Sequence, residues 1–285
     1  MSIDTLQRFL LDELDIRGAV VRLGPLWQRI VAGRSYAPPV AALLGEMCAT
    51  TLFIADALKQ PGRITFQLRG SGPVSLLVVD CDERLNLRAM AHAAADVAPG
   101  TAPQLLGDGQ LMLSLDLPNL RQPYQSIVPM QGDSIAEIFE HYLGLSEQLP
   151  SRLFLAASAE GAAGIFLQKL PNADARDADG WNRVESLATT IRDDELLGLP
   201  CDELLTRLFS QEVVRVFPER QVLHECSEDW DKVRTMLRSL GREEVDAVLR
   251  EHGEVLIRDD LANRDYRFDA AAVEALFGET PPTLH

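Results

Sequence analysis

Seven segments with strand character follow one another between residues 63 and 170, and this series constrains the fold more than any other feature of the chain. They are 63–69, 74–80, 85–92, 110–117, 123–128, 152–158 and 163–170. Ile64, Phe66 and Leu68 alternate with Thr65, Gln67 and Arg69, as a strand with one buried face requires, and Leu111, Leu113 and Leu115 repeat the pattern. Gly70-Ser71-Gly72-Pro73 marks a turn between the first two segments. Residues 16–23 are also β-rich. A helix is expected over Asp133 to Leu143, where Ile135, Ile138, Phe139 and Tyr142 recur at helical spacing. Another is expected over residues 5–14, with Leu6, Phe9, Leu10 and Leu14 on one side. The most apolar stretch, Val40 to Leu58, follows the break at Pro38-Pro39 and contains Gly45, Glu46, Asp56 and two threonines. Charges at that depth are expensive in lipid, so the stretch reads as a buried core helix and not a membrane span. Helices packed on a mixed sheet give the expected class, α+β.

Composition divides the chain further. Residues 1–172 hold the strand series and form the expected core domain. Residues 173–232 carry 15 acids and 7 bases, a net of −8 and half of the chain's −16. They still contain amphipathic helices. One carries Val184, Leu187 and Ile191; another starts at Pro200 and presents Leu204, Leu205, Leu208 and Phe209 on one face. A charged, thinly apolar layer of this kind must borrow a surface to bury its stripes, and it can open well below the free energy of global unfolding. Residues 233–285 form a small third unit. Val233, Met236, Leu237 and Leu240 make one helical face, and Val245, Val248 and Leu249 another, with Gly241 between them. Val255 and Ile257 face Tyr266 and Phe268 across a hairpin, and a last helix carries Val273, Leu276 and Phe277. A unit this small usually needs a staple.

Net charge and motifs exclude several functions. A pI of about 4.7 disfavours nucleic acid and anionic membrane as partners, since both select a basic face. Met1-Ser2-Ile3-Asp4 lacks the start of a signal peptide, and four irregularly spaced cysteines are no disulfide framework, so the cytoplasm is the default location. The sequence has no G-x-S-x-G elbow, Walker loop, H-E-x-x-H or G-x-G-x-x-G, so no ordinary enzyme class is indicated.

Residues 222–229 read V-L-H-E-C-S-E-D and residues 253–269 read G-E-V-L-I-R-D-D-L-A-N-R-D-Y-R-F-D. With Ile16-Arg17-Gly18, the run Leu58 to Pro73, Tyr124 to Pro129, Tyr142 to Arg152, Gly161 to Gln168 and Arg207-Leu208-Phe209, they resemble the heat-shock protein 33 family of redox-regulated holdase chaperones over almost the whole chain. The resemblance implies an ATP-independent chaperone that holds unfolding client proteins on apolar surface, uncovered when the middle layer unfolds, and that acts as a homodimer. Leu204, Leu205, Leu208 and Phe209 are then the client-binding candidates, together with the sheet face they cover.

It also implies a zinc-binding redox switch, and here the sequence departs from the family. The family's Cys-x-Cys aligns with His224-x-Cys226 and its Cys-x-x-Cys with Asp259-x-x-Ala262. Ala262 cannot ligate, and Cys226 has no partner thiol at these positions. The expectation is a lost zinc site and chaperone activity without the usual switch. Alternatives are a three-ligand open metal site of enzymatic type, a shell completed by His252 or Glu254, and a module that keeps the fold but not the holdase activity. Cys201, in the first turn of a helix, has a setting that can favour a thiolate, and a Cys201–Cys226 disulfide is a further alternative.

Overall fold

The computed structural model describes residues 4–120 and 122–278, in two compact units that meet in sequence between Glu225 and Cys226. The larger unit begins with β1 (Thr5–Leu11), β2 (Ile16–Leu23), α1 (Pro25–Val31) and α2 (Pro38–Ala57). It continues through β3 (Arg63–Arg69), β4 (Val74–Cys81), β5 (Leu87–Ala93), α3 (Ala102–Leu106), β6 (Gln110–Asp116), β7 (Tyr124–Val128), α4 (Ile135–Ser146), β8 (Ser151–Ala157) and β9 (Ala162–Lys169). Four short helices follow, α5 (Ala173–Arg176), α6 (Gly180–Ala188), α7 (Asp193–Gly198) and α8 (Cys201–Leu208), then β10 (Val214–Val216) and β11 (Arg220–Gln221).

The class is α+β, and all seven expected strand segments are strands. They divide between two sheets whose ladders run antiparallel. One is ordered β5-β4-β3-β6-β7; the other is ordered β10-β1-β2-β9-β8, with β11 also on β1. α2 starts on Pro38 and Pro39, whose fixed φ suits the first turn. Its length and composition would suffice for a membrane span, yet it is mostly buried. Leu44, Met47, Cys48 and Leu52 share one core with Phe66, Leu68 and Val79 of the first sheet and with Leu6, Val21 and Leu23 of the second.

The expected helix over residues 5–14 is instead β1. The second sheet is buried on both faces, so its strands carry apolar residues on both sides. Leu6 points into the α2 core, while Phe9 and Leu11 point into a separate core on the far face. Apolar residues on alternate sides of such a strand reproduce the i, i+3 spacing of a helix.

The smaller unit holds α9 (Trp230–Leu240), α10 (Arg242–His252), the hairpin β12 (Val255–Asp259) and β13 (Arg264–Phe268), and α11 (Ala270–Gly278). Val255 pairs with Phe268 and Ile257 with Tyr266. Of the expected helical faces, Val233, Leu237 and Val245 are buried, but Met236, Leu240 and Val248 are exposed.

Candidate functional site

The far face of the second sheet is an apolar surface built by alternation. β1 gives it Phe9 and Leu11, β2 gives Ile16 and Val20, and β9 gives Ala163, Ile165 and Leu167. Gly18 lets the surface close over itself: a Cβ there would lie 2.3 Å from Phe9 Cζ and 2.8 Å from the Phe166 carbonyl oxygen, so the Phe9 ring occupies the space a side chain would need. Phe9 in turn packs on Phe209, with ring centroids 6.1 Å apart.

α6, α7 and α8 cover this face. Leu204, Leu205, Leu208 and Phe209 are all buried against it, together with Trp181, Val184 and Leu196. The four client-binding candidates are thus brought together, and in this state they are hidden. Sequence reasoning located their helix but missed the strand residues beneath and the partners Trp181 and Leu196. The available signal was the run of near-continuous apolar residues in 16–23 and 162–167, which marks strands buried on both sides.

One ion pair and two hydrogen bonds from an arginine clasp the layer to the sheet. Arg152 on β8 donates to Glu185 on α6 (2.6 Å) and to Glu140 on α4 (2.7 Å). Arg22 on β2 donates to the carbonyls of Leu197 and Gly198, both at 3.3 Å. Within the layer and its exit, Arg183 joins Asp177 and Glu212, while Arg192 and Arg207 join Glu195. Most of these guanidinium groups are partly exposed, so each pair adds little on its own and weakens with salt.

Three of the four positions aligned with the family's thiolates have other employment, and the fourth, Cys226, is a part-exposed thiol. The imidazole Nδ1 of His224 lies 2.8 Å from the Leu87 carbonyl oxygen in the larger unit. Burial holds His224 below its usual pKa, and Arg29, Arg34 and Arg88 push in the same direction. Three guanidinium groups are poor company for a divalent cation. Asp259 ends β12, and its Oδ1 accepts from the Ala262 backbone N–H at 2.9 Å, which closes the hairpin turn. Ala262 offers no donor atom. Among the described residues, no three His, Cys, Asp or Glu side chains gather as a metal-binding set. The donor chemistry therefore does not fit the family's four-thiolate zinc.

The other cysteines do not supply a reactive thiol. Cys48 and Cys81 are buried in the α2 core, and burial pushes both thiols strongly upward. The helix-start setting of Cys201 does not give it thiolate character. Burial, with Asp202 adding to it, raises its pKa to about 12, against the opposing pull of Arg22. Desolvation outweighs the helix terminus here.

The smaller unit carries an aromatic clasp at the start of α9. The Trp230 ring stands edge-on to Tyr266, with centroids 4.9 Å apart, and to Phe268 at 5.7 Å. Tyr266 Oη accepts from the Asp229 backbone N–H at 3.0 Å, while Asp229 caps α9 through the Lys232 N–H at 2.9 Å. Trp230 Nε1 donates to Glu228, which also pairs with Arg264 of β13. These contacts tie the segment before α9 to the hairpin without a metal. Trp230→Ala is expected to destabilise this unit by about 2–4 kcal/mol. Urea melts followed by amide exchange within 230–278 check this, and a loss below about 1 kcal/mol would show that the clasp is not what holds the unit.

Comparison with known proteins agrees with the geometry. The model of a family described as Hsp33 protein matches residues 4–269. A protein named 33 kDa chaperonin from Methylobacillus flagellatus is 38% identical over 276 residues, covering 96% of this chain and 94% of that protein. One of the same name from Chromobacterium violaceum is 41% identical over 277 residues, with the same coverage. The crystal structure of the 33 kDa chaperonin (Heat shock protein 33 homolog) of Thermotoga maritima superposes with a TM-score of 0.80 at 19% identity, covering 96% of this chain and 98% of that one, which shows the shared fold.

Proposed function

This chain belongs to the Hsp33 family of chaperones, and on that premise we propose that it is an ATP-independent holdase whose client surface is uncovered without the family's cysteine–zinc switch. The observation that carries this reading is the two-sided sheet: one face sits in the permanent core, and the other is closed by three short helices of an acidic segment. When α6–α8 lift, Leu204, Leu205, Leu208 and Phe209 come free together with Phe9, Leu11, Val20, Ile165 and Leu167. That gives two facing apolar surfaces able to hold unfolded segments by burial alone. The partner is then any protein exposing such segments, and we place the activity in the cytoplasm. The homodimer implied by the family stays part of this proposal.

Regulation is where this chain parts from its relatives. With Ala262 and Asp259 in place of two thiolates, purified protein is expected to retain less than about a tenth of an equivalent of zinc after dialysis against chelator, given how far affinity falls when thiolate ligands are lost. Elemental analysis checks this, and one tightly held zinc per chain would require ligands beyond His224, Cys226 and Asp259.

The decisive assay is suppression of thermal aggregation of a model client, run with and without peroxide. Cys226→Ser is expected to protect the client as well as the parent protein in both arms. Strong peroxide activation that disappears in Cys226→Ser would restore a thiol switch and overturn this account of regulation. Absence of protection in any arm would overturn the holdase reading itself.

A further inference from the structure

Buried carboxylates in the larger unit follow one rule. Asp56 meets Arg8 and Arg220, Asp80 meets Arg63 and Arg88, Glu140 meets Arg152, and Glu195 meets Arg192 and Arg207. Asp4 accepts from the backbone N–H groups of Gly24 and Leu26. Glu46, in the middle of the apolar helix α2, differs: it is part-buried, and its carboxylate makes no hydrogen bond or ion pair among the described residues. A part-buried carboxylate without a protein partner gives up some of its hydration, and a cation bound beside it would offset that loss.

Glu46 opens onto a cleft of about 530 Å³, within the range of sites that take small ligands or a few side chains. Tyr36, Pro38, Leu43, Leu105, Ile135 and Ala157 supply its apolar wall, and Asp133 is the other ionisable carboxyl on it. Among the described residues, no Lys, Arg or His lines the cleft. The groups bearing on it are all acidic: Asp133 and Glu137 at the start of α4, and Asp193 of α7, whose charge acts directly on Glu46. The nearby Arg34 is turned to Tyr36 Oη and the Ala89 carbonyl oxygen.

We propose that this cleft binds a short apolar peptide segment carrying a lysine or arginine, with the cation seated on Glu46. The occupant follows from complementarity: apolar walls call for apolar side chains, and an unpaired carboxylate flanked only by acids calls for a cation. Burial, reinforced by Asp193, raises the Glu46 pKa to about 7, so the site is half-charged near neutrality and gains most from a cation above that pH. The inference rests on the holdase reading only for the source of the segment, an unfolding client. Unlike the surface under α6–α8, the cleft is open in the closed state.

The test uses the full chain and three fluorescently labelled heptapeptides of leucine and alanine whose central residue is Lys, Gln or Glu. Fluorescence anisotropy at pH 8 is expected to give a Kd for the Lys peptide on the order of tenfold below that for the Gln peptide, as one charge-assisted contact provides, with the Glu peptide weaker still. Glu46→Gln should abolish the preference for Lys over Gln. Ala42→Arg places a guanidinium one helical turn before Glu46 and should block binding of all three peptides. The preference should also shrink from pH 8 to pH 6 as Glu46 takes up its proton. Equal binding of the Lys and Gln peptides, no binding of any, or a preference that survives Glu46→Gln would overturn the proposal. Client-aggregation assays on the same proteins report separately: protection without peptide binding removes the cleft and keeps the holdase, while peptide binding without protection does the reverse.

Discussion

Leu205→Asp is expected to release the helical layer from the sheet at a temperature where the core keeps its fold, and to switch on client holding without heat or oxidant. Leu205 is 2% exposed and packs in the cluster that joins α8 to β1, β2 and β9. An ionised carboxylate left there among apolar side chains costs several kcal/mol. The permanent core has no share in this penalty, because α2 packs on the opposite face of the sheet. The cheapest relief is therefore for α6–α8 to leave, which local stability differences permit. Three readouts should move together at 25 °C: amide protection lost over 180–208 and kept over 63–81, binding of an apolar dye, and suppression of client aggregation. A variant that melts as one cooperative unit at a lower temperature, with no gain in holding, would show that the layer is not separable from the core.

The sequence made the strand series legible because most of those strands alternate or run apolar between clear turns. Its failure at residues 5–14 has a physical cause: a strand of a sheet covered on both sides has apolar residues on both faces, and Leu6, Phe9 and Leu11 then mimic a helix. The stripe Leu204-Leu205-Leu208-Phe209 could be read from spacing, but the identity of its host surface is a long-range fact, set by how β1, β2 and β9 come together. The departure at His224, Cys226, Asp259 and Ala262 was visible as residue types. The aromatic contacts of the smaller unit were not, since Trp230, Tyr266 and Phe268 become a clasp only once the hairpin brings 266 and 268 back to the start of α9. Glu46 was noted only as a charge that argues against a membrane span. Its lack of a partner becomes meaningful beside the paired Asp56 and Asp80.

Heat should do for this chain what oxidation does for the family's thiol switch. The layer's helices are short, at 9, 6 and 8 residues, too short to persist without the sheet beneath them. Their apolar contacts are set against an acidic segment whose like charges repel, and the hydrophobic gain per buried leucine is only about 1.5–3 kcal/mol. The chain on either side is better anchored. β9 pairs with both β2 and β8, while β10 and β11 return to β1, with Phe9 opposite Val216 and Leu6 opposite Arg220. A segment tied at both ends and weakly held between them can lift as a loop without unravelling the sheet. Hydrogen exchange through a mild temperature ramp should therefore show protection falling first over 180–208, then over 214–224, with strands 63–81 protected until global melting. The smaller unit, without the family's four-thiolate set, should lose protection over 230–278 at temperatures below the core's transition. Client protection should rise several-fold in step with the first of these losses, in reducing buffer. If 180–208 stays as protected as 63–81 up to global melting, the layer is part of the core, and neither heat nor any other trigger can use it as a switch.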